Sequence, residues 1–138
     1  TEARDVPLFR RKPKPPPPLS VELPSGEEVE RAVVAELLHG KTVMRGALFM
    51  TNRRLMFEAK RGAARWMIVP YGEVKSAGLY PAPNLHLGSP AGRRQCLHIE
   101  TTKGEQIWWD FGERDEREWL PFVQAKAKAA QPAGDQDS

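Results

Sequence analysis

Between Glu27 and Phe111 no run of apolar residues exceeds four before glycine, proline, asparagine or a charged side chain interrupts it. Within those runs the apolar residues tend to alternate with polar ones. This is the period-two pattern of strands that bury one face, not the 3.6-residue recurrence of helices. Residues 30–38 place Val33, Ala35 and Leu37 on one parity and form an expected first strand. His39–Thr42 reads as a polar loop. Residues 46–51 and 54–59 put Leu48, Met50, Leu55 and Phe57 at core positions, and Asn52–Arg53 between them is a two-residue hairpin turn, since asparagine tolerates a left-handed backbone. Further strands are expected at 65–69, 74–80, 96–101 and 105–111, the last two joined through Lys103–Gly104. Residues 81–94, with three prolines, read as a long surface loop.

The pattern changes after Gly112. Glu113, Asp115, Glu116 and Glu118 precede Lys126 and Lys128, the charge order that suits a helix dipole. Trp119, Phe122, Val123 and the stem of Lys126 recur at helical spacing. Pro121 lacks the amide that a helix interior uses, so the helix either starts near Trp119 or kinks there. Seven short strands followed by one amphipathic helix describe a mainly β (α+β) domain: a small, partly open barrel closed by its C-terminal helix.

The N-terminal stretch differs in kind. Seven of the 13 prolines fall in residues 1–24, four of them consecutively at Pro15–Pro18. Proline fixes φ and donates no hydrogen bond, so 1–24 reads as a disordered or polyproline II linker, 25–130 as the folded domain and 131–138 as a flexible tail. Beginning at Thr1, the chain reads as a piece of a longer protein. Arg10, Pro13 and Pro16 match the Arg-x-x-Pro-x-x-Pro spacing of SH3 ligands. That makes an SH3-type partner a weak expectation beside the simpler role of a spacer.

The 138 residues are 40% apolar, enough for one modest core, and no stretch approaches the roughly 18 apolar residues of a membrane-spanning helix. A single cysteine, Cys96, excludes an internal disulfide and a thiolate zinc cage. It fits a cytoplasmic setting, at or away from a membrane periphery. Three scattered histidines and acid pairs such as Glu27–Glu28 form no catalytic constellation, so neither an enzyme nor a metal or cofactor is expected. Gly40-Lys41-Thr42 resembles the end of a phosphate-binding loop, but Ala35 stands where that motif needs its first glycine.

The net charge of +3 conceals a local excess. From Lys41 to Arg65 seven bases face only Glu58, a net of +6 in 25 residues. Such a patch attracts lipid headgroups, phosphates or acidic peptides. The same residues are equally the ordinary solvated charge of loops. A nucleic-acid partner is disfavoured because no basic–aromatic motif accompanies the charge; Trp66, Trp109 and Trp119 read as packing residues. Trp108, of opposite parity to Trp109, is the exception, either exposed or covering the outer face of the sheet.

The residues Gly46-Ala-Leu-Phe-Met-Thr-Asn-Arg-Arg-Leu-Met-Phe57, followed by Met67-Ile-Val-Pro-Tyr-Gly-Glu-Val74, resemble a GRAM domain of the pleckstrin-homology-like superfamily. The likeness spans about residues 33–124 and is carried mainly by the Thr-Asn-Arg-Arg-Leu hairpin. It implies a fold of two orthogonal antiparallel sheets capped by a helix. It also implies a non-enzymatic module that binds anionic lipid or a protein, with the ligand among bases on the first hairpin and its neighbouring loop. Carried onto this chain, those bases are Lys41 and Arg45 in the loop from His39 to Arg45, joined by Lys60 and Arg61 from the charge pattern. The alternatives are a basic nucleic-acid-binding domain and a structural or oligomerising domain.

Overall fold

The computed structural model describes residues 16–40, 42–60, 66–81, 95–112 and 116–131. Seven antiparallel strands run in chain order: β1 (Val29–His39), β2 (Thr42–Thr51), β3 (Arg54–Ala59), β4 (Trp66–Pro70), β5 (Val74–Pro81), β6 (Gln95–Thr101) and β7 (Gln106–Asp110). A 3-10 turn, Tyr71–Glu73, joins β4 to β5, and helix α1 (Glu116–Ala129) follows β7.

The strands form one continuous ladder in the order β4-β3-β2-β1-β7-β6-β5. The two expected sheets are thus joined through β1. Its whole length pairs with β2, while its last four residues, Glu36–His39, also pair with Asp110–Ile107 of β7. The ladder does not close between β4 and β5, which leaves the barrel partly open. Helix α1 packs beside that gap and sends Trp119, Val123 and Ala127 into the main core.

The alternation legible in the sequence sets the inner face. Val33, Ala35 and Leu37 of β1 meet Leu48 and Met50 of β2 and Leu55 and Phe57 of β3, all buried. Ile107, Trp109 and Phe111 complete the far side. Phe111 stands edge-on to Trp119, with ring centroids 5.1 Å apart, so the helix is fixed to the strand end that precedes it.

Three expectations are corrected. The polar loop expected over His39–Thr42 is shorter than that, because His39 still belongs to β1 and pairs directly with Thr42, where β2 begins. Gly40 takes φ +62°, which suits a residue without a Cβ. The helix does not start near Trp119: it begins at Glu116, and Pro121 is inside it. The proline lies on the solvent side, where both it and Arg117, whose carbonyl goes without a Pro121 amide, are exposed to water. Phe122, placed by its spacing beside Trp119, is instead 45% exposed, and the Arg31 guanidinium sits 4.3 Å from its ring centroid.

β2 is buried on both faces from Gly46 onward. Its outer side chains Ala47 and Phe49 join Met56 of β3 in a second apolar cluster. What covers that cluster is the segment before β1: Leu19 and Leu23 pack against it with Ala32 and Trp66. The Ser20 hydroxyl also donates to the Glu58 carboxylate. Residues 1–15, most of the expected linker, lie outside the described residues, as does nearly all of the expected tail.

Candidate functional site

The Thr51-Asn-Arg-Arg54 turn carries the most specific sequence signal, and the side chains of Thr51, Asn52 and Arg54 are spent on hydrogen bonds within the fold while Arg53 stays exposed. Thr51 Oγ1 accepts hydrogen bonds from the amides of Arg53 and Arg54, both at 3.0 Å, and donates to the Glu27 carboxylate at 2.7 Å. Asn52 clamps the segment before β1: its Oδ1 accepts from the Glu28 amide at 2.8 Å and its Nδ2 donates to the Gly26 carbonyl at 2.9 Å. Arg54 Nε donates to Glu27 at 2.9 Å. Tyr71, buried beneath the turn, donates its hydroxyl to the Thr51 carbonyl at 2.6 Å. Burial raises the Tyr71 phenol above its ordinary value, with the Glu30 and Glu27 charges adding to the effect. Burial alone would also raise the Glu27 carboxyl. The hydrogen bonds from Arg54 and Thr51 and the charges of Arg54 and Arg53 outweigh it and hold that group below 4.5.

This network removes Arg54 from the basic excess, because its charge is matched by Glu27 inside the fold. Arg53 stays exposed in the same turn, while Arg45 and Lys60 lie at the other end of β2 and β3. Arg45 sits on β2 with 72% of its side chain exposed. Lys60 is exposed at the end of β3, and its amide donates to the Arg45 carbonyl at 2.8 Å. Hairpin pairing thus brings together two of the four expected site residues. Lys41 and Arg61 lie outside the described residues. Arg45 is not a loop residue, contrary to the expectation of a loop from His39 to Arg45: it pairs across the ladder with Glu36, whose carboxylate lies 3.9 Å from its guanidinium.

Glu36 is the member of this site that sequence reasoning missed. Its parity placed it on the outer face of β1, but only the register of β1 against β2 sets it opposite Arg45. At the neighbouring hairpin tip His39 Nε2 lies 3.5 Å from the Glu105 carboxylate. The arrangement is a sheet-end surface where two exposed cations stand side by side with one partly buried carboxylate. It can hold an anionic group by charge and hydrogen bonding. Among the described residues no cluster of three or more His, Cys, Asp or Glu side chains could hold a metal ion, and no helix is long and apolar enough to cross a membrane.

No sequence-family profile and no curated protein matches the chain. Solved structures do. The Vps36 N-terminal PH domain superposes with a TM-score of 0.62 at 15% identity, covering 78% of this chain and 84% of that one. The hSac2 domain from the human phosphoinositide phosphatase Sac2 gives 0.55 at 12% identity, covering 80% and 76%. The C-terminal domain of a protein from Leishmania infantum gives 0.56 at 16% identity, covering 75% and 87%. At these identities the likeness speaks for the fold alone. Seven antiparallel strands in a partly open barrel, with one helix after the last strand, are a pleckstrin-homology-like fold.

Proposed function

We propose that the chain is a non-enzymatic binding module of the GRAM type that docks on an anionic membrane surface through Arg45 and Lys60, with Lys41 and Arg61 as further bases of the same charge run in the sequence. The observation that carries this reading is the contact between the two strands: the Lys60 amide bonds to the Arg45 carbonyl, so two exposed cations stand at one end of the sheet against the single Glu36 carboxylate. A base near an anionic leaflet contributes about 1 kcal/mol, so even two side by side give attraction that matters and that salt weakens. The pleckstrin-homology-like architecture supports a lipid- or protein-binding role in general. One structural neighbour is a domain of a phosphoinositide phosphatase, which is in keeping with an anionic lipid.

The test is flotation of the full chain with vesicles of phosphatidylcholine alone, or mixed with phosphatidylserine or a phosphoinositide, across a salt series. Binding to the anionic vesicles is expected, falling as salt rises. The double variant Arg45→Ala/Lys60→Ala is expected to bind roughly 25-fold more weakly, as two bases at about 1 kcal/mol each require. If no anionic vesicle binds the chain at low salt, the membrane reading fails.

A further inference from the structure

The segment before β1 crosses the outer face of β2 and β3 as a strap, seated by Leu19 and Leu23 on Ala47, Phe49 and Met56. Both leucines are only half-buried, so the hold is modest. Between them Ser20 is exposed, and its hydroxyl donates to the Glu58 carboxylate of β3. That bond latches the middle of the strap to the sheet. From residue 16 to residue 28 the strap has neither helix nor strand. Ser20 is thus an accessible hydroxyl on irregular backbone, the form in which a substrate segment enters a kinase cleft. Glu22, two residues on and also exposed, supplies the negative charge by which an acid-directed kinase selects its substrates.

A phosphate ester at this point reverses the latch. It removes the proton that Glu58 accepts and sets about 1.5–2 negative charges against that carboxylate. The cations are more distant. Arg45 lies two residues before Ala47, the ladder partner of Glu58, and Lys60 two residues beyond Glu58, each about 7 Å farther along its strand. Arg45 is also partly offset by Glu36. Glu58 is the nearest charge, so repulsion decides the sign, and two half-buried leucines are all that the described contacts leave to resist it.

We propose that Ser20 is a phosphorylation site of an acid-directed protein kinase and that its phosphate unlatches the strap, uncovering the apolar outer face of β2 and β3. In the step itself Ser20 Oγ attacks the γ-phosphorus of a nucleoside triphosphate held by the kinase. The Oγ–P bond forms, the bond from that phosphorus to the bridging oxygen breaks, the nucleoside diphosphate leaves with the electron pair, and the hydroxyl proton passes to the kinase's base. The full chain, with Ser20→Ala as control, is incubated with ATP and an extract of the cells that make it, and the modified residue is read by mass spectrometry. Phosphate on Ser20 is expected, and slower labelling of Glu22→Gln; no phosphate on Ser20 overturns the site. The full chain carrying genetically encoded phosphoserine at position 20 is then exposed to a broad-specificity protease. Cleavage within residues 16–26 is expected to be roughly tenfold faster than in the unmodified chain, with the barrel intact. Ser20→Ala, which removes the bond without adding charge, should accelerate cleavage less. Glu58→Gln should cancel most of the effect of the phosphate. Unchanged cleavage, or slower cleavage because Arg45 and Lys60 capture the phosphate, overturns the latch, as does an acceleration that Glu58→Gln leaves untouched.

Discussion

The Glu27 carboxylate, buried at the foot of β1, receives the Arg54 guanidinium from the start of β3, with Nε at 2.9 Å from one oxygen and Nη2 at 3.2 Å from the other. The segment that precedes the barrel is thereby tied to the β2–β3 turn by a two-point, charge-assisted contact. Removing one partner leaves the other desolvated without its counter-charge. Arg54→Ala and Glu27→Ala are each expected to lower stability by about 1.5–3 kcal/mol in chemical denaturation. The pH dependence follows from the lowered Glu27 carboxyl. The contact stabilises the fold fully above the ordinary value of 4.5 and is lost as pH falls through the lower value of the folded state. Glu27→Gln is expected to flatten the part of the acid-unfolding curve just below pH 4.5; an unchanged curve would show that other carboxylates govern it.

Gly46 sits where β2 crosses closest to β3. A Cβ there would fall 2.1 Å from the Glu58 carbonyl oxygen and 2.9 Å from the Ala59 Cα, both backbone atoms that cannot swing aside. Its need for glycine is one of space rather than of φ. Gly46→Ala is expected to cost roughly 3 kcal/mol, at the upper end of ordinary overpacking. Gly104→Ala gives the contrast: its Cβ meets nothing within 4 Å, but φ is +86°, so the cost is conformational and close to 1 kcal/mol. Thermal melts of the two variants should differ in that order.

Leu19 and Leu23 bind the N-terminal strap to Phe49 and Met56 on the outer face of the sheet. Both leucines are half-buried, so truncating either to alanine should cost about 1 kcal/mol, less than a core leucine. The double variant Leu19→Ala/Leu23→Ala should also free the strap. Cleavage by a broad-specificity protease within residues 16–26 is expected to accelerate strongly, while the barrel survives. Loss of the barrel signals instead would mean that the strap is integral to the fold rather than a cover.

Much of this architecture was legible before any coordinates. The inward parity of Val33, Ala35 and Leu37, of Leu55 and Phe57, and of Ile107 and Trp109 follows from alternation alone, because a strand with one buried face can place its side chains in only one way. What stayed hidden depends on contacts between distant segments. Glu36 faces Arg45 through a register that only the assembled ladder defines. Leu19 and Leu23 lie among prolines and polar residues, so their composition reads as linker, and only the outer-face Ala47, Phe49 and Met56 give them something to cover. Arg53 and Arg54 looked alike in the charge count, yet Arg54 is held by a buried acid that lies 27 residues away in sequence. Composition counts charge; it cannot tell which charge has already been matched inside the fold.

Pro121 offers a test in the opposite direction, where a substitution should strengthen the protein. It is the sixth residue of α1, too far in to escape the loss of one backbone hydrogen bond, and it is exposed, so no packing is lost with its ring. Proline in an exposed helix interior is about 3 kcal/mol less favourable than alanine. Part of that cost is relieved because Pro121 and Arg117 both lie on the exposed side of the helix, and part is offset because proline also restricts the unfolded chain. Pro121→Ala is therefore expected to raise stability by about 1–2 kcal/mol and to increase the helical signal in circular dichroism, with Trp119 and Val123 still anchored in the core. A fall in stability would instead show that the backbone geometry proline enforces at position 121 helps seat Trp119 against Phe111, whose ring centroids lie 5.1 Å apart.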